Sequence, residues 1–192
     1  PSETGLTYNS WYGKFHLEMH WWHAAHFAVW NRPHILKKQI NYYSTIYDEA
    51  ERTADRQGFK GVRWPKMVGP EGKNSPSGVG SYLIWQQPHF IYFAEQLYQL
   101  EPTKETLNKY EDLVFATAEF MADFAVYNRK NDTYNLLPPL IPAQEHWPRE
   151  TTSNPPFELA YWHWGMKTAQ KWRKRLNLPV DSVWKKVKNK LA

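Results

Sequence analysis

Helix-length segments come in pairs along this chain, and loops rich in Pro and Gly separate the pairs. The first run covers residues 18–30. Asn31-Arg32-Pro33 breaks it, because a proline ring disfavours helix at the residue before it yet starts a new helix well. The second run, 33–57, places Ile35, Ile40, Tyr43, Ile46, Tyr47 and Ala50 on one face at helical spacing and ends at Gly58. A long loop, 58–80, follows. A third helix is expected over 81–100, disturbed near Pro88, and a fourth over 104–128 with Leu107, Tyr110, Leu113, Val114, Ala118 and Met121 as its buried stripe. The loop 129–155 leads to a fifth helix over 156–176, and Asp181 is placed to cap a short sixth. No strand series interrupts this order, so the fold is expected to be all-α. Long loops without their own secondary structure tend to be functional. Here they recur after every second helix and should therefore meet at one end of the helix array.

The later loop has the richest chemistry. Between Leu137 and the helix starting near Phe157 it carries a carboxylate, Glu145, among an amide (Gln144), an imidazole (His146), an indole (Trp147) and a guanidinium (Arg149). That mixture suits a sugar site. Aromatic rings stack on sugar faces, amides and cations bond to hydroxyls, and a carboxylic acid can donate a proton. The chain holds 11 Trp, 12 Tyr and 9 Phe in 192 residues, a supply that serves both half-exposed cleft walls and a large aromatic core. From the first loop, Trp64, Lys66 and Glu71 are expected near the same end.

Charge and composition narrow the alternatives. The net charge is +5, and much of it falls on Lys167, Lys171, Arg173, Lys174, Arg175, Lys185, Lys186, Lys188 and Lys190 of the last helices, which reads as a solvated face rather than a nucleic-acid groove. Without cysteine there is neither a disulfide framework nor thiol catalysis. No apolar run approaches a membrane span. The start without Met reads as that of a processed or excised piece. The compartment stays open, with a periplasmic or secreted location expected.

Three stretches resemble, in order and spacing, the six-hairpin glycosidases, and most closely the family of maltose, trehalose and kojibiose phosphorylases and related hydrolases (glycoside hydrolase family 65). One is Gly13-Lys14-Phe15-His16-Leu17-Glu18 followed by a helix and Asn31-Arg32-Pro33. Another is Gly58-Phe59-Lys60-Gly61-Val62-Arg63-Trp64-Pro65. The last is Ile141-Pro142-Ala143-Gln144-Glu145-His146 followed by Asn154 and Ala160-Tyr161. The sequence departs from the family where Phe15-His16 stands for Trp-Asp, with Glu18 the nearest acid, and where Gln144 replaces the Asp before the acid. The resemblance implies an (α/α)6 toroid of which residues 1–192 form part of one catalytic domain, about three of six helical hairpins. It also implies Glu145 as general acid of an inverting glycoside hydrolase, with its base outside these residues. The family's phosphate loop lies later than this sequence extends.

Around Glu145 the substrate-binding candidates are His16, Glu18, Trp64, Lys66, Gln86, Gln87, Gln144, His146, Trp147 and Arg149. Alternatives stand beside each. Glu145 can simply pair with Arg149, and enclosure by Trp147, Pro142 and Pro148 would instead suit an acid. Glu18 is either a hydroxyl clamp or a first-turn carboxylate favoured by the helix dipole. Gln86 and Gln87 either bond hydroxyls or form an ordinary polar face. His20, His23 and His26 lack the spacing of a zinc site, so no metal and no cofactor are expected. A sugar epimerase or lyase using His16, His20 or His89 is the rival enzymatic reading, and a non-catalytic carbohydrate-binding half-barrel is the rival of another class. The expected partners are a carbohydrate substrate and either further chain of the same polypeptide or an associating copy. The helix faces of Phe27, Val29, Trp30 and Trp184 would meet that partner.

Overall fold

The computed structural model describes residues 14–192, so Gly13 lies outside it. The fold is all-α. Three helical hairpins stand side by side: α1 (His20–Val29) with α2 (Pro33–Thr45), α4 (His89–Leu100) with α5 (Lys104–Phe124), and α6 (Pro156–Arg175) with α7 (Ser182–Asn189). Helix α3 (Tyr47–Arg56) continues α2 after a break at Ile46. Helices α1, α4 and α6 form an inner row, with α4 touching both others, while α2, α5 and α7 pack behind them. This is an arc of three of the six hairpins of an (α/α)6 toroid.

The helix boundaries follow from local chemistry. Gly58, at φ +81°, ends α3 in a Schellman motif: its N–H donates to Asp55 O at 2.9 Å and that of Phe59 to Ala54 O at 3.0 Å. Asn31 and Asn177, both in the left-handed region, end α1 and α6 with the same pair of bonds. Asp181 Oδ1 accepts from the Val183 and Trp184 N–H groups at 2.9 and 3.0 Å, the cap expected for α7. Asn154 holds the start of α6 by exchanging bonds of 2.8 Å each with Leu136.

Four expectations need correcting. The third helix begins at His89, not residue 81, because Tyr82 to Pro88 make successive turns in which the Leu83 carbonyl is taken by Arg63 and Gln86 and the Tyr82 carbonyl by Ile141 N–H. The fourth helix ends at Phe124, not residue 128, because Val126–Asn128 turns away to pair as a strand with Thr133–Asn135. The second run is two helices, not one. Trp184 is buried, donating its indole N–H to Glu119 Oε2 at 3.2 Å, so it is not part of an exposed face; Val29 and Trp30 are exposed.

The core explains much of the tryptophan. Trp64, Trp162 and Trp172 are fully buried, and their indole N–H groups reach Thr117 Oγ1, Met121 O and Glu95 Oε2 at 2.9, 2.8 and 2.8 Å. A buried indole needs such a partner to avoid an unmet donor. The loops meet at the N-terminal ends of the inner helices. There β1 (Phe15–His16) pairs antiparallel with β2 (Met67–Val68), setting His16 opposite Met67. Leu83 and Ile141 form a bridge between the two long loops. A second hairpin, β3 (Val126–Asn128) with β4 (Thr133–Asn135), begins the later loop. No described helix is long and apolar enough to cross a membrane.

Candidate functional site

A lysine joins all three loop segments. The β1–β2 pairing is extended by Leu17 N–H donating to Lys66 O at 2.9 Å, which lays Glu18 beside Lys66. Lys66 is 8 % exposed. Its Nζ donates to Glu145 Oε1 at 2.5 Å and lies 3.7 Å from Glu18 Oε1. Glu18 Oε2 accepts from the Trp85 indole N–H at 3.1 Å, so an ammonium and an indole engage the two oxygens of this buried carboxylate.

Glu145 is delivered by a short anchored turn. Ile141 N–H donates to Tyr82 O at 2.8 Å, Ala143 N–H to Glu158 Oε1 at 2.7 Å, and Glu145 N–H to Pro142 O at 3.0 Å. Glu145 itself sits at φ +60°. That conformation costs a residue with a Cβ about 1–2 kcal/mol, and the surrounding bonds must outweigh it. The expected enclosure is absent: the Glu145 side chain is 33 % exposed and Trp147 is 54 % exposed. Its cationic partner is Lys66; Arg149 instead pairs with Glu150 at 2.7 Å, lies over the Tyr82 ring and donates to Gly78 O. His146 donates Nδ1–H to Gln144 O at 2.7 Å and stacks on Trp147, while the Gln144 side chain is exposed.

Trp64, Gln86 and Gln87 do not line a cleft, which corrects the expectation that they meet substrate. All three are buried. Gln86 Nε2 donates to Trp64 O and Leu83 O, Gln87 Nε2 to Val62 O, and Gln87 Oε1 accepts from Trp64 N–H. Beside them Arg63 spends its guanidinium on Trp64 O, Ser81 O, Leu83 O and Gln87 Oε1. Burial pulls its pKa down to about 9. These groups satisfy the backbone of a loop that burial has stripped of water.

The histidines divide by burial. His89 Nε2–H donates to Glu18 O at 3.2 Å, which leaves Nδ1 to accept from the Tyr161 hydroxyl at 3.1 Å. Burial brings its pKa down to about 3. His20 bonds Tyr43 and Gln39 and is likewise lowered by burial to about 3. His16, buried in β1, is lowered to about 4 by burial and by Lys66 nearby. No group of three or more His, Asp or Glu side chains placed to hold a metal ion occurs among the described residues.

Next to the charged cluster lies an aromatic cleft of about 450 Å³, lined by Trp21, Trp22, Trp85, Tyr92, Phe157, Tyr161 and Trp164. Trp85 and Tyr161 belong to both features, through their bonds to Glu18 and His89. A readable signal for the wall exists in Phe157, Tyr161 and Trp164, which recur at i, i+4 and i+7 on one face of α6. A larger groove of about 830 Å³ lies elsewhere, among Lys109, Asp112, Glu119 and Trp184, and shares no residue with the cluster.

No family model matches the sequence, and no curated protein matches it. Among solved structures, one described as "Putative kojibiose phosphorylase from human microbiome" superposes on the whole chain with a TM-score of 0.86 at 12 % identity. The chain spans 27 % of that structure's length. The likeness is one of fold.

Proposed function

We propose that residues 1–192 are part of the catalytic domain of a carbohydrate-active enzyme that breaks a glycosidic bond in an oligosaccharide or glycoconjugate, with Glu145 as general acid. The observation that carries this reading is the juxtaposition of Glu18, Lys66 and Glu145 beside an aromatic wall. Charged donors and acceptors next to stacking surfaces are what a sugar site needs. The likeness in fold to a protein named as a kojibiose phosphorylase supports the same direction.

In this reading Glu145 protonates the leaving oxygen as the bond breaks. Lys66 positions its carboxyl, and Glu18, Gln144, His146, Trp147 and Arg149 contact sugar hydroxyls and faces, while His16, as buried as Gln86, backs them from β1. Glu18, buried and engaged by Lys66 and the Trp85 indole, is assigned as a hydroxyl clamp, and the base, or the site for a phosphate ion in its place, comes from further chain. That chain, or a second copy, would also cover the exposed Val29 and Trp30. The deep burial and engaged ring nitrogens of His20 and His89 argue against acid–base chemistry at those two residues.

The test is made in the full-length polypeptide. Glu145→Gln is expected to lower kcat by about 10²–10⁴-fold on an unactivated glycoside, and far less on one with an activated phenol leaving group that needs little protonation. Equal losses on both, or none, would remove Glu145 from this role and turn the reading toward a glycan-binding half-barrel. Product analysis with and without inorganic phosphate separates hydrolysis from phosphorolysis.

A further inference from the structure

We infer that Glu158 is the positioning residue of the Glu145 loop: its carboxyl, delivered by the first turn of α6, holds the loop through the backbone N–H of Ala143. This rests on the reading of Glu145 as the acid. Glu158 has no exposed surface. Its Oε1 accepts from Ala143 N–H at 2.7 Å, and its Oε2 has no hydrogen-bond partner among the described residues. A glutamate three residues into a helix ordinarily bonds back to the N–H of the capping residue. That partner does not exist here, because the capping residue is Pro155, which carries no N–H. The side chain is thereby released to reach across to the neighbouring loop, two residues before Glu145. Burial raises the pKa of Glu158, against the lowering effect of the bond from Ala143 N–H. The latch works through an acceptor oxygen and needs no charge.

The test compares Glu158→Gln, which keeps shape and acceptor, with Glu158→Met, which keeps shape and loses the acceptor. In the full polypeptide, the Ala143 amide is expected to exchange with solvent roughly tenfold faster in Glu158→Met and at the parent rate in Glu158→Gln, the scale of one hydrogen bond. Turnover of an unactivated glycoside should fall about tenfold to a hundredfold in kcat for Met, with KM little changed, since misplacing a catalytic group by about 1 Å costs that much. Glu158→Gln should restore it. If Glu158→Met does not fold, Ala143→Pro removes the same bond from the donor side and carries the same expectation for kcat and KM, there being no amide at 143 to exchange. Unaltered Ala143 exchange in the Met variant overturns the inference, as does a Gln variant as damaged as Met. If Glu145→Gln proves harmless while Ala143 exchange still responds to Glu158, the function reading fails and the latch stands.

Discussion

Single residues divide the cluster into those that touch solvent and those that hold it up. Lys66 does both, since one ammonium serves a buried carboxylate and a partly exposed one. Lys66→Met is expected to destabilise the protein by about 2–3 kcal/mol, below the 3–5 kcal/mol of a fully buried pair because Glu145 is a third exposed. The midpoint of a denaturant titration measures it. Lys66→Arg should recover only part of the loss, because a planar fork does not fit a site shaped for a point charge. An unchanged midpoint in Lys66→Met would mean that the bridge contributes nothing to folding. Trp64, Gln86 and Gln87 teach the converse. Their residue types suit a sugar site, yet the same donors and acceptors equally satisfy buried backbone, and only burial separates the two uses.

Among the elements, the contact between the first long loop and α5 sets how closely loop and helices pack. Gly61 lies at φ +73°, and a Cβ there would meet Ala116 O at 2.2 Å and Phe120 N at 2.6 Å, both backbone atoms that cannot swing aside. Gly61→Ala is expected to cost about 2–4 kcal/mol, adding backbone strain to overpacking. Gly58→Ala, at a similar φ but with open space around it, should cost only the conformational part, about 1–2 kcal/mol. Thermal melts of the two variants side by side check this, and equal losses would show that close approach is not what selects glycine at residue 61. The helix ends were legible because Gly58 and Asn31-Arg32-Pro33 act through their own backbone and Asp181 through a side-chain oxygen that reaches only the next turn. The third helix was extended too far, over 81–88, because that stretch is held in turns partly by Arg63, which reaches Ser81 O, Leu83 O and Gln87 Oε1 from an earlier part of the sequence.

For the molecule as a whole, acid sensitivity follows from its buried imidazoles. His20 and His89 are lowered to about 3 and His16 to about 4, from an ordinary value of 6.5, with burial the leading cause in each. Between those values the unfolded chain binds protons that the folded chain refuses. Stability is therefore fully present above pH 6.5 and is lost as the pH falls toward 3. Melting temperature should decline steadily across that window. His89→Gln, which is uncharged at every pH, should show a shallower decline. A melting temperature flat from pH 7 to 4 would contradict the burial of these rings.

By itself the sequence determined the all-α class, the pairing of helices, most of their ends, and the meeting of the long loops at one end. Those properties reside in periodicity and in Gly, Pro, Asn and Asp, whose effects are local. Tertiary structure alone decided which cation faces Glu145, which tryptophans form core and which form wall, and that Glu158 reaches a loop two residues from Glu145 instead of capping its own helix. Each of those outcomes depends on segments far apart in sequence being pressed together, where removal of water makes every donor and acceptor find a partner or carry the cost of having none.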